Sequence, residues 1–212
     1  MRNEADSDRP LRIAVLASGS GTTLQAVIDA CEQGALAAEI VLVISNNSES
    51  GAMTRARRHG ISAVHLSSHT HVDARALDRA IADCLRQRSP DVVLLAGYMK
   101  KLGPHTLGAY RGRLINTHPA LLPQHGGQGM YGGHVHAAVI AAGERVSGIS
   151  VHLVDAEYDT GAVLAQREVD VRPGDDAASL AARVQAAEKP FLIEVLGRIA
   201  AGDIPLPAAG RL

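Results

Sequence analysis

The run Leu114-Ile115-Asn116-Thr117-His118-Pro119-Ala120-Leu121-Leu122-Pro123 sets an amide and an imidazole two residues apart at the end of an apolar segment. In an extended chain residues i and i+2 share a face, so Asn116 and His118 converge on one small volume. Pro119 pushes the residue before it away from the helical region, which keeps His118 extended, and Pro123 prevents the segment from running on as a helix. Such a pair suits chemistry at a carbonyl. An amide N–H donates to a developing oxyanion, while an imidazole that titrates near neutrality moves or stabilises protons.

A carboxylate to orient His118 is expected from Ser150-Val151-His152-Leu153-Val154-Asp155-Ala156-Glu157-Tyr158-Asp159-Thr160-Gly161, an alternating strand that runs into an acidic loop. An aspartate beside an imidazole favours the charged ring and fixes its orientation, and it can also hold a water that relays protons. Spacing alone does not select Asp159 over Asp155. His152 alternates with Val151 and Leu153 and reads as a hydrogen-bonded sheet residue on the opposite face.

The first apolar run ends in Ser18-Gly19-Ser20-Gly21-Thr22-Thr23-Leu24-Gln25, a glycine-rich turn that opens a helix. Glycines let the backbone approach an oxyanion, and the free N–H groups and helix dipole at Thr22 and Thr23 favour negative charge. A dinucleotide fits poorly, because Leu24 stands where the third glycine is needed and Ser45-Asn46-Asn47 replaces the acidic residue after the second strand. A nucleoside triphosphate is unsupported without a Gly-Lys-Ser/Thr ending. A single phosphate ester fits best, and a plain tight turn capped by Thr22 fits the turn alone equally well.

Positioning these residues requires a scaffold, and its signals alternate. Arg12–Ala17, Ile40–Ser45, Ala63–Leu66, Asp91–Ala96 and Leu114–Asn116 read as strands, with helical patterns between them such as Leu77, Ile81, Cys84 and Leu85 within Val72–Arg88. Strands alternating with helices predict right-handed crossovers and a doubly wound α/β fold with a mostly parallel sheet. Gly148–Val154 and Val163–Val171 are joined too closely for a helical crossover and are expected to pair antiparallel. Asp175 and Asp176 are expected to cap a last helix, which Pro190 would kink or divide before Gly202. Residues 1–10 read as a disordered leader, 11–204 as a single domain and 205–212 as a loose tail. The five glycines in Gln124–Gly133 suggest a mobile loop.

Composition narrows the function. The 212 residues are 46% hydrophobic with a formal net charge of −1. No basic cluster exceeds a dipeptide, which argues against nucleic acid, and no apolar run approaches membrane-spanning length. Cys31 and Cys84 fit reduced thiols in a cytoplasmic protein. Ten histidines include His69-x-His71 and His134-x-His136 near His125, yet their spacing lacks a zinc-type ligand set, so no metal is expected and these histidines read as surface or lid residues.

Four segments occur in order: Ser-Gly-Ser-Gly-Thr-Thr-Leu-Gln from Ser18, Leu-Ala-Gly-Tyr-Met-Lys-Lys-Leu from Leu95, Ile-Asn-Thr-His-Pro-Ala-Leu-Leu-Pro from Ile115 and Val-Asp-Ala-Glu-Tyr-Asp-Thr-Gly from Val154. Together they resemble the folate-dependent formyltransferase superfamily, and within it the phosphoribosylglycinamide formyltransferases of purine synthesis. The resemblance covers roughly Leu11 to Gly202. It implies a Rossmann-like formyltransferase fold, with Asn116, His118 and Asp159 as catalytic trio and with Gly21, Thr22 and Thr23 on the substrate phosphate. It further implies Gln185 and Glu188 on the glycinamide, and Met99, Lys100, Lys101 and Leu102 with Asp155 and Asp159 around the folate.

Small-molecule substrates are implied, 10-formyltetrahydrofolate and phosphoribosylglycinamide, for a monomer or homodimer. His118, charged through Asp159, would add a second donor beside Asn116 at the oxyanion or supply the proton on which the folate nitrogen leaves, while a water near Asp159 would take the amine's proton. The chain departs from the family at Thr23, where asparagine is common, at Lys189, where histidine is usual, and in the glycine loop. A formyltetrahydrofolate hydrolase would normally carry an extra N-terminal domain and a transferase acting on initiator tRNA an RNA-binding C-terminal one, for which this chain has no room. A non-catalytic phosphate- or folate-binding module on the same fold is the remaining alternative.

Overall fold

The computed structural model describes residues 9–207. The expected leader before residue 9 and tail beyond residue 207 lie outside the described residues. Seven strands, β1 (Leu11–Ala17), β2 (Ala38–Ser45), β3 (Ala63–His65), β4 (Val92–Leu95), β5 (Leu114–His118), β6 (Val146–Leu153) and β7 (Val163–Asp170), form one sheet in the order β3-β2-β1-β4-β5-β6-β7. Pairings β1–β2, β1–β4 and β2–β3 are parallel, and β6–β7 is antiparallel. This is the doubly wound, mostly parallel architecture that the alternating pattern predicts, with its antiparallel end where the connection is too short for a helix. The chain groups into two compact units, one of residues up to Ile115 together with those from Leu196 onward, the other of Asn116–Val195.

In the first unit, β1 is buried at every position except Arg12, as a strand covered on both faces must be. Arg12 extends its guanidinium to Glu39 and to the Arg88 carbonyl. Helix α1 (Thr22–Glu32) buries Leu24, Val27 and Ile28, side chains worth about 1.5–3 kcal/mol each when fully buried. Helix α2 (Gly51–Arg58) starts at Ser50, whose side chain accepts from Met53 N at 3.2 Å, and α3 (Ala74–Arg88) starts at Asp73, which accepts from Ala76 N at 2.6 Å. These caps fix the helix starts; α3 therefore begins two residues after Val72. Cys31 and Cys84 are free thiols, and burial beside Glu32 pushes Cys31 up to about 11.

A short helix, α4 (Pro104–Ala109), lacks a distinct periodic signal and depends on a residue from elsewhere. Its N-cap, Gly103, offers no side chain; the buried Asp78 of α3 accepts instead from His105 N at 2.7 Å, Thr106 N at 3.0 Å and Thr106 Oγ1 at 2.6 Å. A Cβ at Gly103 would lie 2.4 Å from the Asp78 carboxyl carbon, so the close approach requires glycine. One buried carboxylate thus satisfies the first N–H groups of a helix that could not form alone.

In the second unit, α5 (Gly133–Ala141) buries Val135, His136 and Val139, and α6 (Ala177–Ala201) buries Leu180, Val184, Phe191, Leu192 and Val195. Asp176 accepts from Ser179 N at 2.8 Å while Ser179 Oγ accepts from Asp176 N at 3.0 Å, the reciprocal cap expected of that acidic pair. Pro190 lies inside α6 without dividing it. The apolar side chains around it, and Arg167 stacked 4.6 Å over the Phe191 ring, hold the helix across the missing N–H.

Replacing Asp78 with alanine removes the acceptor of the His105 and Thr106 N–H groups, while the Thr106 hydroxyl keeps the backbone carbonyl of residue 78 at 3.1 Å, and is expected to cost about 1–2 kcal/mol of stability by urea denaturation. An unchanged midpoint would show that α4 does not depend on this cap.

Candidate active site

The β5 strand continues two residues beyond Asn116 to His118, so the amide and the imidazole stand on one face as the spacing predicts. Beyond β5 the chain is braced by Ser150, whose hydroxyl donates to the Ala120 carbonyl at 2.7 Å and accepts from Leu122 N at 2.9 Å. Gln166 Nε2 reaches both Ser150 Oγ and the Leu122 carbonyl at 2.9 Å.

Of the acidic loop residues, Asp159 is the one that reaches the imidazoles. Its Oδ2 lies 3.5 Å from His118 Nδ1 and accepts from Gly127 N at 3.0 Å, and its Oδ1 lies 3.5 Å from His152 Nε2. Asp155 turns back on its own loop instead, accepting from Glu157 N at 3.0 Å and Thr160 Oγ1 at 2.8 Å. Backbone conformation separates the two: Asp159 sits at φ 59°, a left-handed position that aspartate tolerates better than most residues. Gly161 closes the loop, since a Cβ there would fall 1.9 Å from the Leu153 carbonyl oxygen.

Hydrogen-bond roles follow from the carbonyls, which only accept. His152 Nδ1 faces the Leu153 carbonyl at 2.8 Å and therefore carries a proton, and in the tautomer protonated there alone Nε2 accepts from Asn116 Nδ2 at 3.3 Å. That bond fixes the Asn116 amide and leaves its second N–H available. His118 Nε2 donates to the His125 carbonyl at 2.8 Å, so in the neutral ring Nδ1 is a bare acceptor beside the carboxylate. His152 is thus part of the site, beyond the sheet role that alternation assigns it. A strand position whose side chain faces Asn116 across the sheet was the signal, and it needs the pairing register to be seen.

Burial is the largest influence on His118 and pushes it below the usual histidine value, further helped by His152 and His125; Asp159 and the His125 carbonyl oppose it. The net direction is downward, so the resting ring is neutral at pH 7, and the standing imidazolium expected from the Asp159 pairing gives way to one that forms only when charge develops. His136 is likewise pushed down, by burial first and by His118 second. It is 2% exposed, with Nδ1 unpaired among the described residues, which corrects its reading as a surface or lid residue: α5 turns His136 onto the same buried face as Val135 and Val139. His134 is exposed, as are His69 and, in part, His71.

Other anticipated residues take their places in separate elements. Glu188 of α6 accepts from Thr117 Oγ1 at 2.8 Å, and Gln185, one turn earlier, is exposed. In the first unit Gly21 is the N-cap of α1 at φ 71°, followed by Thr22 and Thr23; no side chain caps the helix. The plain capped turn is therefore not what the structure holds, and among the described residues no side chain caps the leading N–H groups of α1. The turn is clamped by α2: a Cβ on Gly21 would lie 2.6 Å from Ala52 Cα, and one on Gly51 2.4 Å from the Ser20 carbonyl. Arg55 donates from Nε to that same carbonyl at 3.0 Å. Met99, Lys100 and Lys101 are exposed after β4, whereas Leu102 is buried and presents no side chain at the surface.

Gly21→Ala, strained at a positive φ and against backbone, is expected to lower stability by about 1–3 kcal/mol, while Gly19→Ala, whose Cβ would meet nothing within 4 Å, leaves the melting midpoint nearly unchanged. Equal effects would show the clamp to be loose. In a proton NMR titration His118 and His136 titrate below 6.5, and Asp159→Asn lowers His118 further. Because both folded values lie below the unfolded one, their contribution to stability is complete above about pH 6.5 and is lost as the pH falls through the folded values. A His118 value above 6.5 would reverse the sign.

Comparison with known proteins gives a consistent result. A family model described as formyl transferase matches residues 11–196. The chain is 40% identical over 189 residues to the chloroplastic phosphoribosylglycinamide formyltransferase of Vigna unguiculata, covering 89% of this chain and 60% of that protein. It is 36% identical over 196 residues to the phosphoribosylglycinamide formyltransferase of Escherichia coli strain K12, covering 92% of this chain and 90% of that one. The solved phosphoribosylglycinamide formyltransferase of Coxiella burnetii superposes with a TM-score of 0.84 at 36% identity, over 92% of this chain and 89% of the other.

Proposed function

The chain belongs to the formyl transferase family, and on that premise we propose that it moves the formyl group of 10-formyltetrahydrofolate to the amine of 5′-phosphoribosylglycinamide, a step of purine synthesis. The products are formylglycinamide ribonucleotide and tetrahydrofolate. The observation that carries the proposal is the cluster of half-buried Asn116 and Asp159 with buried His118 and His152, a hydrogen-bond donor and a proton carrier held together in one unit. The two free cysteines accord with a cytoplasmic enzyme, and no helix among the described residues is long and apolar enough to cross a membrane.

The amine attacks the formyl carbon, forming a C–N bond and placing negative charge on the formyl oxygen. Asn116 donates its free amide N–H to that oxygen; its other N–H is held by His152, so the donor is oriented before charge appears. The attacking nitrogen, now an ammonium, gives its proton to the His118–Asp159 pair at the bare Nδ1. The imidazolium that results has an acceptor at each nitrogen, Asp159 at Nδ1 and the His125 carbonyl at Nε2. As the C–N bond to the folate breaks, that proton passes to the departing nitrogen, and no net charge is left on the protein.

Gly21, Thr22 and Thr23 are assigned to the phosphate, which gains from backbone N–H groups and the dipole of α1. Thr23 keeps a hydroxyl donor where asparagine is common. Met99, Lys100, Lys101 and Leu102 are assigned to the folate with Asp155 and Asp159, and Gln185 and Glu188 to the glycinamide. With Leu102 buried, its contribution there is through the backbone. Glu188 retains one carboxylate oxygen beyond the Thr117 hydroxyl for an amide N–H. Lys189 sits half-buried beside it where the family usually has histidine.

The test follows loss of the formyl group from 10-formyltetrahydrofolate by absorbance, with and without phosphoribosylglycinamide. Turnover that requires the amine is expected; loss of formyl without it would replace the proposal with a hydrolase. Asn116→Ala and His118→Ala are expected to fold normally by circular dichroism and to lose about a hundredfold or more in kcat. Near-normal turnover by either variant would remove that residue from the mechanism.

A further inference from the structure

Ser18 directly follows β1, which in the first unit lies between β2 and β4. Its hydroxyl donates to Asn46 Oδ1 at 2.6 Å and accepts from Met99 N at 2.8 Å, while its backbone N–H donates to the Gly97 carbonyl at 3.2 Å. One hydroxyl proton and one lone pair are thus both used, in opposite directions, across three adjacent parallel strands. Asn46 belongs to the Ser45-Asn46-Asn47 stretch that stands where a dinucleotide-binding chain would carry its acid, and here it serves as the acceptor that aims the serine.

The two segments joined in this way are the ones assigned to different substrates. Ser18 lies two residues before the clamped turn, where the backbone of Ser20 and Gly21 is held against α2. Across the hydrogen bond begins the segment 96–103, which is neither helix nor strand, with Gly97 at φ 68° and Met99 59% exposed. That segment is secured at its far end by Asp78 on His105 N and Thr106 N, and at its near end by Ser18. A segment without regular structure carries its ordering cost in the contacts that hold it, the bond from Met99 N to the Ser18 hydroxyl among them.

Building on the formyl-transfer reading, we propose that Ser18 is a positioning residue that couples the two substrates: a phosphate ester on the 20–23 turn favours the arrangement of residues 97–102 that receives the folate, and the folate favours the phosphate ester in return. Fixing the turn backbone fixes the Ser18 hydroxyl and, through it, the Met99 amide, so the ordering cost met by the first ligand is spared the second. Coupling of this kind is reciprocal by linkage and needs no displacement of the fold.

Calorimetry on the intact chain tests this with an unreactive pair, phosphoribosylglycinamide and tetrahydrofolate, which lacks a formyl group to transfer. Each ligand is expected to bind the unmutated protein about fivefold or more tightly when the other is saturating. In Ser18→Ala that ratio falls to near one, and Ser18→Thr, which keeps a hydroxyl, restores it. A merely structural serine would weaken both ligands and leave the ratio intact, and that result overturns the proposal, as does a ratio near one in the unmutated protein. Should Ser18→Ala fail to fold, Asn46→Ala makes the same test, because it frees the serine proton while leaving the hydroxyl in place. Failure of the unmutated protein to bind either ligand would overturn the formyl-transfer reading itself, whereas binding without coupling overturns only the role of Ser18.

Discussion

The carboxylate of Asp159 faces two imidazoles at once, 3.5 Å from His118 Nδ1 and 3.5 Å from His152 Nε2, and the arrangement of the Asn116–Val195 unit depends on that placement. Reaching it requires a left-handed backbone at Asp159, a loop closed by Gly161 against the Leu153 carbonyl, and the Gly127 N–H as a third contact on the carboxylate. It also requires Gly126, where a Cβ would lie 2.5 Å from Leu122 Cδ2 and 3.3 Å from Asp159 Cβ. The glycine loop is therefore more than a flexible connection. Gly126 leaves the space that Leu122 and Asp159 occupy, and Gly127, at φ 100°, takes a backbone conformation that favours glycine while it donates to the carboxylate.

Burial and charge oppose each other at His118, and the outcome suits the proposed chemistry. A ring that was already an imidazolium could not take a proton, and a ring with no carboxylate beside it would hold one poorly. Burial sets the resting state and Asp159 makes the charged state accessible, so the protonated form is reached when the reaction supplies a proton. The same burial that depresses His118 strengthens the hydrogen bond from its Nε2 to the His125 carbonyl.

The first unit follows a different logic, in which small residues bring backbone close to backbone. Gly21 and Gly51 allow α1 and α2 to start against one another, and Gly103 allows α4 to start against Asp78. Helix starts are thereby supplied with partners from neighbouring elements: Asp78 for α4, and for α1 only the free N–H groups that suit an anion. Ser18 at the centre ties the adjacent strand ends to one another through a single hydroxyl.

Much of this was legible in the residues themselves. Periodicity located every strand to within a few residues, because buried parallel strands read as continuous apolar runs and the helices between them as amphipathic ones. The local conformational rules of proline and of the extended chain placed Asn116 and His118 on one face, and acidic side chains marked the start of α6. Local chemistry could not choose between Asp155 and Asp159, assign His152 to the Asn116 amide, bury His136, or give α4 its cap. The Asp159 carboxylate, the Asn116 amide and the α4 cap each meet a partner 27 or more residues away in sequence, brought near by strand pairing or helix packing. Spacing encodes which face of an element a side chain occupies; only the tertiary structure decides what that face meets, because burial and partner distance arise from contacts between elements that no single segment contains.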